Sequence, residues 1–102
     1  MPTFSSAEEQ SAWSLAEALS EKGFACMRNA EETSEKFRAG RAQMRRTFKA
    51  RGFSEADADI RWMGTNQAKE ALADNGWYMA QASMYQQAAA AQYAKALYLK
   101  KT

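Results

Sequence analysis

Glu31, Glu32 and Glu35 crowd into the run EETSE, and Glu31 and Glu35 share one face of a helix at the i, i+4 spacing. Carboxylates so placed serve di-metal sites in helical bundles, but those sites complete their ligand set with Glu-x-x-His. The chain has no histidine. That absence also removes the commonest general base and metal ligand. The acidic run therefore reads as a solvated helix face. Cys26 is the single cysteine and has no partner for an internal disulfide, so it reads as a small buried hydrophobe. No glycine-rich phosphate loop occurs, and the serines lack a plausible base. The expectation is a protein that is not an enzyme and that carries no cofactor and no metal.

The charged residues that remain are sorted into blocks. Residues 1 to 35 hold seven acids and two bases, residues 36 to 51 seven bases and no acid, residues 52 to 74 five acids and two bases, and residues 75 to 102 three bases. A net charge of +2 thus hides a strongly basic segment, KFRAGRAQMRRTFKAR. On a helix, Arg38, Arg41, Arg45 and Lys49 form one stripe, with Arg46 beside it. Such a stripe can track a nucleic-acid backbone without reading its sequence. It can equally pair with the acidic blocks on either side, or with acids of a neighbouring subunit. No aromatic residue interleaves on the basic face, and no helix-turn-helix or zinc-finger pattern supports base readout. Electrostatic docking to protein is the preferred use, with a small nucleic-acid-binding protein working through residues 36 to 51 as the alternative.

Helices must carry all of this. The chain has 102 residues, its one proline is Pro2, and it has five glycines, so an all-α domain spanning 1–102 is expected. FSSAEEQ offers Ser5 or Ser6 as an N-cap with an acid three residues on, and Ala12, Leu15, Ala16 and Leu19 follow the helical period to a stop at Gly23. A second helix fits Phe24 to Arg51, with Ala30, Phe37, Met44 and Phe48 on one side, ended by Gly52. SEAD at 54 to 57 starts a short third helix that should bury Ala56, Ile60 and Met63 and end near Gly64. Thr65 or Asn66 caps the last segment, which Asp74-Asn75-Gly76 can split. The result is a small helical bundle of four to five helices with a long C-terminal helix.

That last helix is the unusual one. Residues 77 to 99, WYMAQASMYQQAAAAQYAKALYL, hold one charged side chain, Lys95. Tyr78, Ala82, Tyr85, Ala89, Gln92, Ala96 and Leu99 alternate spacings of four and three, the seam of a coiled coil with alanine at every a position. A second stripe, read as adjacent to the first, carries Trp77, Ala80, Met84, Ala91 and Tyr98. The predicted partner interface is Trp77, Tyr78, Ala82, Met84, Tyr85, Ala89, Ala96, Tyr98 and Leu99. Two packable faces suit two neighbours, either within the chain or in other subunits, copies of itself included.

Two resemblances bear on function. Trp62-Met63-Gly64 resembles the Trp-x-Gly turn of the WXG100 family of secreted helical hairpins. In that family a Tyr-x-x-x-Asp/Glu signal follows the second helix, whereas Tyr93 and Tyr98 are followed four residues later by Leu97 and Thr102. The Ala/Gln-rich, histidine-free end LADNGWYMAQASMYQQAAAAQYAKAL is similar to small helical virion proteins of tailed bacteriophages, such as head-to-tail connector components. That resemblance implies a structural subunit incorporated into a virion, while the lone Cys26 and the N-terminal residues read separately as those of a protein made in a cytoplasm. MPTFSSAEEQ lacks the basic and apolar regions of a signal peptide, and no apolar run reaches the roughly 20 residues of a membrane span. No membrane contact is expected.

Overall fold

The computed structural model of the protein describes Phe4 and residues 6 to 101. Three helices occupy them: α1, Ala7–Ala50; α2, Glu55–Met63; and α3, Asn66–Lys101. No strand occurs among the described residues. The all-α class and the long C-terminal helix are as expected. The count of four to five helices is not, because α1 runs through Gly23 and α3 runs through Gly76.

Both continuities have physical causes. Gly23 is buried, and a Cβ added there would lie 3.3 Å from Gln86 Cγ, 3.5 Å from Tyr85 Cβ and 3.6 Å from the Ala82 carbonyl oxygen. The glycine serves a close helix approach, not a helix end. Asn75, which should have opened a turn, commits its side chain to α1 instead. Its Nδ2 lies 2.8 Å from the Ala30 carbonyl oxygen, 3.0 Å from Ser34 Oγ and 3.2 Å from Thr33 Oγ1. Two amide protons satisfy at most two of these acceptors at a time. With Asn75 so held, Gly76 stays helical, although a Cβ there would meet nothing within 4 Å. Gly76→Ala is therefore expected to stabilise the protein by about 1 kcal/mol, the helix-propensity difference, read as a raised urea midpoint.

The true ends are capped as the sequence suggests. Ser6 Oγ accepts from the Glu9 N–H at 3.0 Å; Ser5 lies outside the described residues. At the other end of α1, Gly52 has φ +84, its N–H donates to the Lys49 carbonyl at 3.0 Å, and the Phe53 N–H donates to the Phe48 carbonyl at 2.9 Å. This is a Schellman motif, and the Phe48 and Phe53 rings supply its apolar contact with centroids 5.4 Å apart. Ser54 Oγ accepts from the Asp57 N–H at 3.2 Å to start α2. Thr65 Oγ1 accepts from the Ala68 N–H, also at 3.2 Å, to start α3.

Packing divides the chain into two compact units. The first joins α1 up to Met27 to α3 from Met79 onward. Here the two helices run antiparallel: Trp13 packs edge-on against Tyr93 with centroids 5.1 Å apart, and Gln86 Nε2 donates to Met27 Sδ at 3.1 Å. The buried apolar side chains are Ala12, Ala16, Ala82, Ala89 and Ala96. With alanine and glycine between them, the axes can approach toward the short end of the usual range of roughly 8 to 10 Å.

The second unit is Arg28–Tyr78. It buries Ala30, Ala58, Ala68 and Trp62. The Trp62 ring lies over Gly40 and meets Phe37 edge-on, with centroids 5.5 Å apart. This seat decides which side of α2 faces inward. Ala58 and Trp62, one turn apart, are buried, whereas Ala56 is exposed and Ile60 and Met63 are 72% and 48% exposed. The expected inner face of this helix is corrected accordingly. Ile60 sits two residues from Trp62, about 200° around the helix, so the two cannot both face in.

Candidate interaction surface

The structure sorts the predicted interface residues of α3 onto opposite sides of the helix. Ala82, Ala89 and Ala96 are buried, and Tyr78, Tyr85, Gln92 and Leu99 are half-buried. This is the predicted seam, and its portion in the first unit is occupied by the chain's own α1. Trp77, Met84 and Tyr98 are 59%, 62% and 68% exposed, with Ala80 and Ala91 also exposed. The second stripe therefore lies opposite the seam, not adjacent to it.

In the first unit this outer side of α3 has a composition foreign to solvent. The positions facing away from α1 are Ala80, Ser83, Met84, Gln87, Ala90, Ala91, Ala94, Leu97 and Tyr98, all exposed. None is charged. The corresponding positions on α1 include Gln10, Ser11, Ser14, Glu17 and Glu21, an ordinary wet face. Size is inverted as well: alanines fill the interior, while Leu15, Phe24, Met27, Met79, Met84, Leu97 and Tyr98 stand outside. Scattered apolar residues on a surface are ordinary; what sets this side apart is that Met84, Leu97 and Tyr98 stand on it among uncharged small and polar side chains.

The basic stripe belongs to the second unit, and two of its arginines, Arg45 and Arg38, pair with carboxylates. Arg45 forms a two-pronged pair with Asp59, Nε to Oδ1 at 2.8 Å and Nη2 to Oδ2 at 2.7 Å. Arg38 reaches Glu31 at 3.2 Å. Arg46 Nη2 donates to Gln43 Oε1 at 3.0 Å, Arg41 is half-buried, and Lys49 is exposed. The acidic blocks on either side of the segment thus supply counterions within the chain. Glu31 is one of them, while Glu32 and Glu35 are exposed. No group of three or more metal-ligating side chains gathers among the described residues. Cys26 is free and half-buried, where full burial was expected.

Hydrogen bonding from Arg45 holds the Asp59 carboxyl below the usual carboxylate range, with the Arg45 and Arg41 charges adding to it and partial burial opposing it. The Arg45 guanidinium is held above its ordinary value by the same bond. A carboxylate whose folded value is depressed contributes stability above its unfolded value, and loses that contribution as pH falls through the folded one. Asp59→Asn should therefore be less stable than the natural chain at neutral pH. The difference between their urea midpoints should close as pH falls below about 4, near the ordinary carboxylate value. A difference independent of pH would show that the pair acts by shape alone.

Sequence reasoning missed three of the residues that shape these units: Asn75, Asp59 and Gly40. For Asn75 the signal was present, since the spacing of the seam extends back through positions 75, 71 and 68. A cleft of about 420 Å³ in the second unit is lined by Thr33, Lys36, Gly40, Trp62, Gln67, Glu70 and Asp74 among others. Trp62 Nε1 is buried in this unit without an acceptor. No helix among the described residues is long and apolar enough to cross a membrane. No protein-family model, curated protein or solved structure matches this chain.

Proposed function

We propose that this protein is a non-enzymatic assembly subunit that works by helix packing, and that the outer side of α3 is its contact surface. The observation that carries this reading is the inversion in the first unit: alanines inside, with methionine, leucine and tyrosine on an uncharged outer side. Burying a large apolar side chain is worth roughly 1.5 to 3 kcal/mol, whereas an alanine contributes about one methyl group. A helix pair with an alanine interior gains much of its remaining apolar burial only when something covers the outside. Engagement of Arg38 and Arg45 with Glu31 and Asp59 favours an orienting, protein-facing use of the basic segment over phosphate tracking. The resemblance of the C-terminal third to phage connector components makes a virion the setting of choice.

The test is the size of the particle that holds the chain. In an extract of the cells that make it, the natural chain should sediment far beyond the 11.4 kDa of one copy. Ala91→Glu, which places a charge on the uncharged side, should leave helix content unchanged and release the chain from that particle. A natural chain that sediments alone overturns the proposal.

A further inference from the structure

We infer that the outer side of α3 pairs with the same side of a second copy of this chain, in antiparallel orientation. The inference rests on the assembly reading and names the partner. The outward stripe in the first unit is Ala80, Met84, Gln87, Ala91, Ala94 and Tyr98, all exposed and spaced four and three by turns. In an antiparallel pair with its two-fold axis level with residue 89, each bulky residue meets an alanine of the other copy. Tyr98 faces the partner's Ala80, Met84 faces the partner's Ala94, and Gln87 faces the partner's Ala91. The stripe is thus complementary to its own reversal, as a two-fold interface requires. A parallel pair would set Tyr98 on Tyr98 and Met84 on Met84, with alanine on alanine between them, alternating crowding and gaps.

Charge selects the same orientation. Within this part of α3 the charged residues are Lys95, Lys100 and Lys101, all at one end. Parallel pairing places like charges side by side. Antiparallel pairing carries the two lysine groups to opposite ends, where Lys95 lies level with the partner's uncharged Ser83. Each α1 segment then covers its own α3 from behind, in the order α1, α3, α3, α1. The alanine seams remain inside each copy, and the larger apolar side chains become interior.

The experiment uses the full chain with Cys26 replaced by serine and a single spin label at position 79 or 90, exposed positions beside the stripe, with sedimentation measured on the same samples. The purified chain should be dimeric. Labels at 90 should lie close together, about 3 Å apart along the axis, since position 90 is level with the partner's Ala88. Labels at 79 should be separated by about 30 Å along the axis, because twenty residues divide 79 from 99. Ala91→Glu should return the chain to monomer with its helix content intact. Short distances at both positions would overturn the antiparallel pairing, and a folded Ala91→Glu chain that stays dimeric would overturn the choice of surface. A purified chain that is monomeric at its highest soluble concentration, yet still sediments in a particle in its native extract, overturns self-pairing while the assembly reading stands.

Discussion

Replacing Gly40 with alanine is expected to destabilise the protein by about 2 kcal/mol, although glycine to alanine inside a helix ordinarily gains about 1 kcal/mol. The reason is the Trp62 ring. A Cβ at position 40 would lie 2.6 Å from Cζ3 and 2.7 Å from Cζ2, and nearer still to Cη2. Trp62 is 4% exposed and also packed on Phe37, so it cannot swing clear without leaving its seat. Overpacking of this kind costs roughly 1 to 3 kcal/mol, and complete loss of a buried tryptophan 3 to 5. Either outweighs the propensity gain. Urea denaturation measures the loss, and the pair Gly40→Ala with Trp62→Leu identifies its cause. If the ring is the obstacle, the double variant should be less destabilised than the two single losses added together. A neutral Gly40→Ala would mean that Trp62 does not occupy this space.

Gly40 and Gly76 illustrate what the sequence could and could not reveal. Both are glycines inside long helical patterns, yet one substitution is expected to destabilise and the other to stabilise. The difference lies in what packs against each position, a non-local fact that no window around the residue contains. Gly23 is the same case. Read locally it is a helix stop, but Gln86, Tyr85 and Ala82 from α3 make it a point of close approach. The caps, by contrast, were legible because capping is local: Ser6, Gly52, Ser54 and Thr65 each act within a few residues of themselves. The seam of α3 was legible because its spacing repeats over many turns, so single ambiguous positions do not matter. On the nine-residue α2 there was too little repetition to choose between an inner face through Ile60 and one through Trp62. The choice was made by Gly40 on another helix.

Legibility of the surface follows the same division. Both stripes of α3 could be read as packable, but which one the chain covers depends on the alanines and glycine of α1. Ala12, Ala16 and Gly23 recur on α1 at small-residue positions that match Ala82, Ala89 and Ala96 in size. Alanine is common in any helix on propensity alone, so its use here as an interior residue is not distinctive until the partner helix is placed. The basic stripe likewise reads as free until Asp59 and Glu31 are brought beside it.

The last consequence concerns the alanine interior itself. Ala16 is 0% exposed, and Ala16→Leu would add three carbons to the fully buried interior of the first unit. The helices must then separate over neighbouring turns, opening contacts at Ala12, Ala82 and Ala89, and the expected loss is about 3 kcal/mol, the upper part of the overpacking range. The same change on the other side of the pair, Ala80→Leu, adds the same volume to an exposed position and should leave the stability of a single chain within about 0.5 kcal/mol of its natural value. Measured together under conditions that keep the chain monomeric, the two variants separate a tight interior from a merely alanine-rich helix. Equal losses would mean that the interior is loose and that small side chains were not selected for close approach. A large loss at 16 with none at 80 means that the helix pair is closed on its inner side and has room only on its outer one, which is where any further copy or subunit must add.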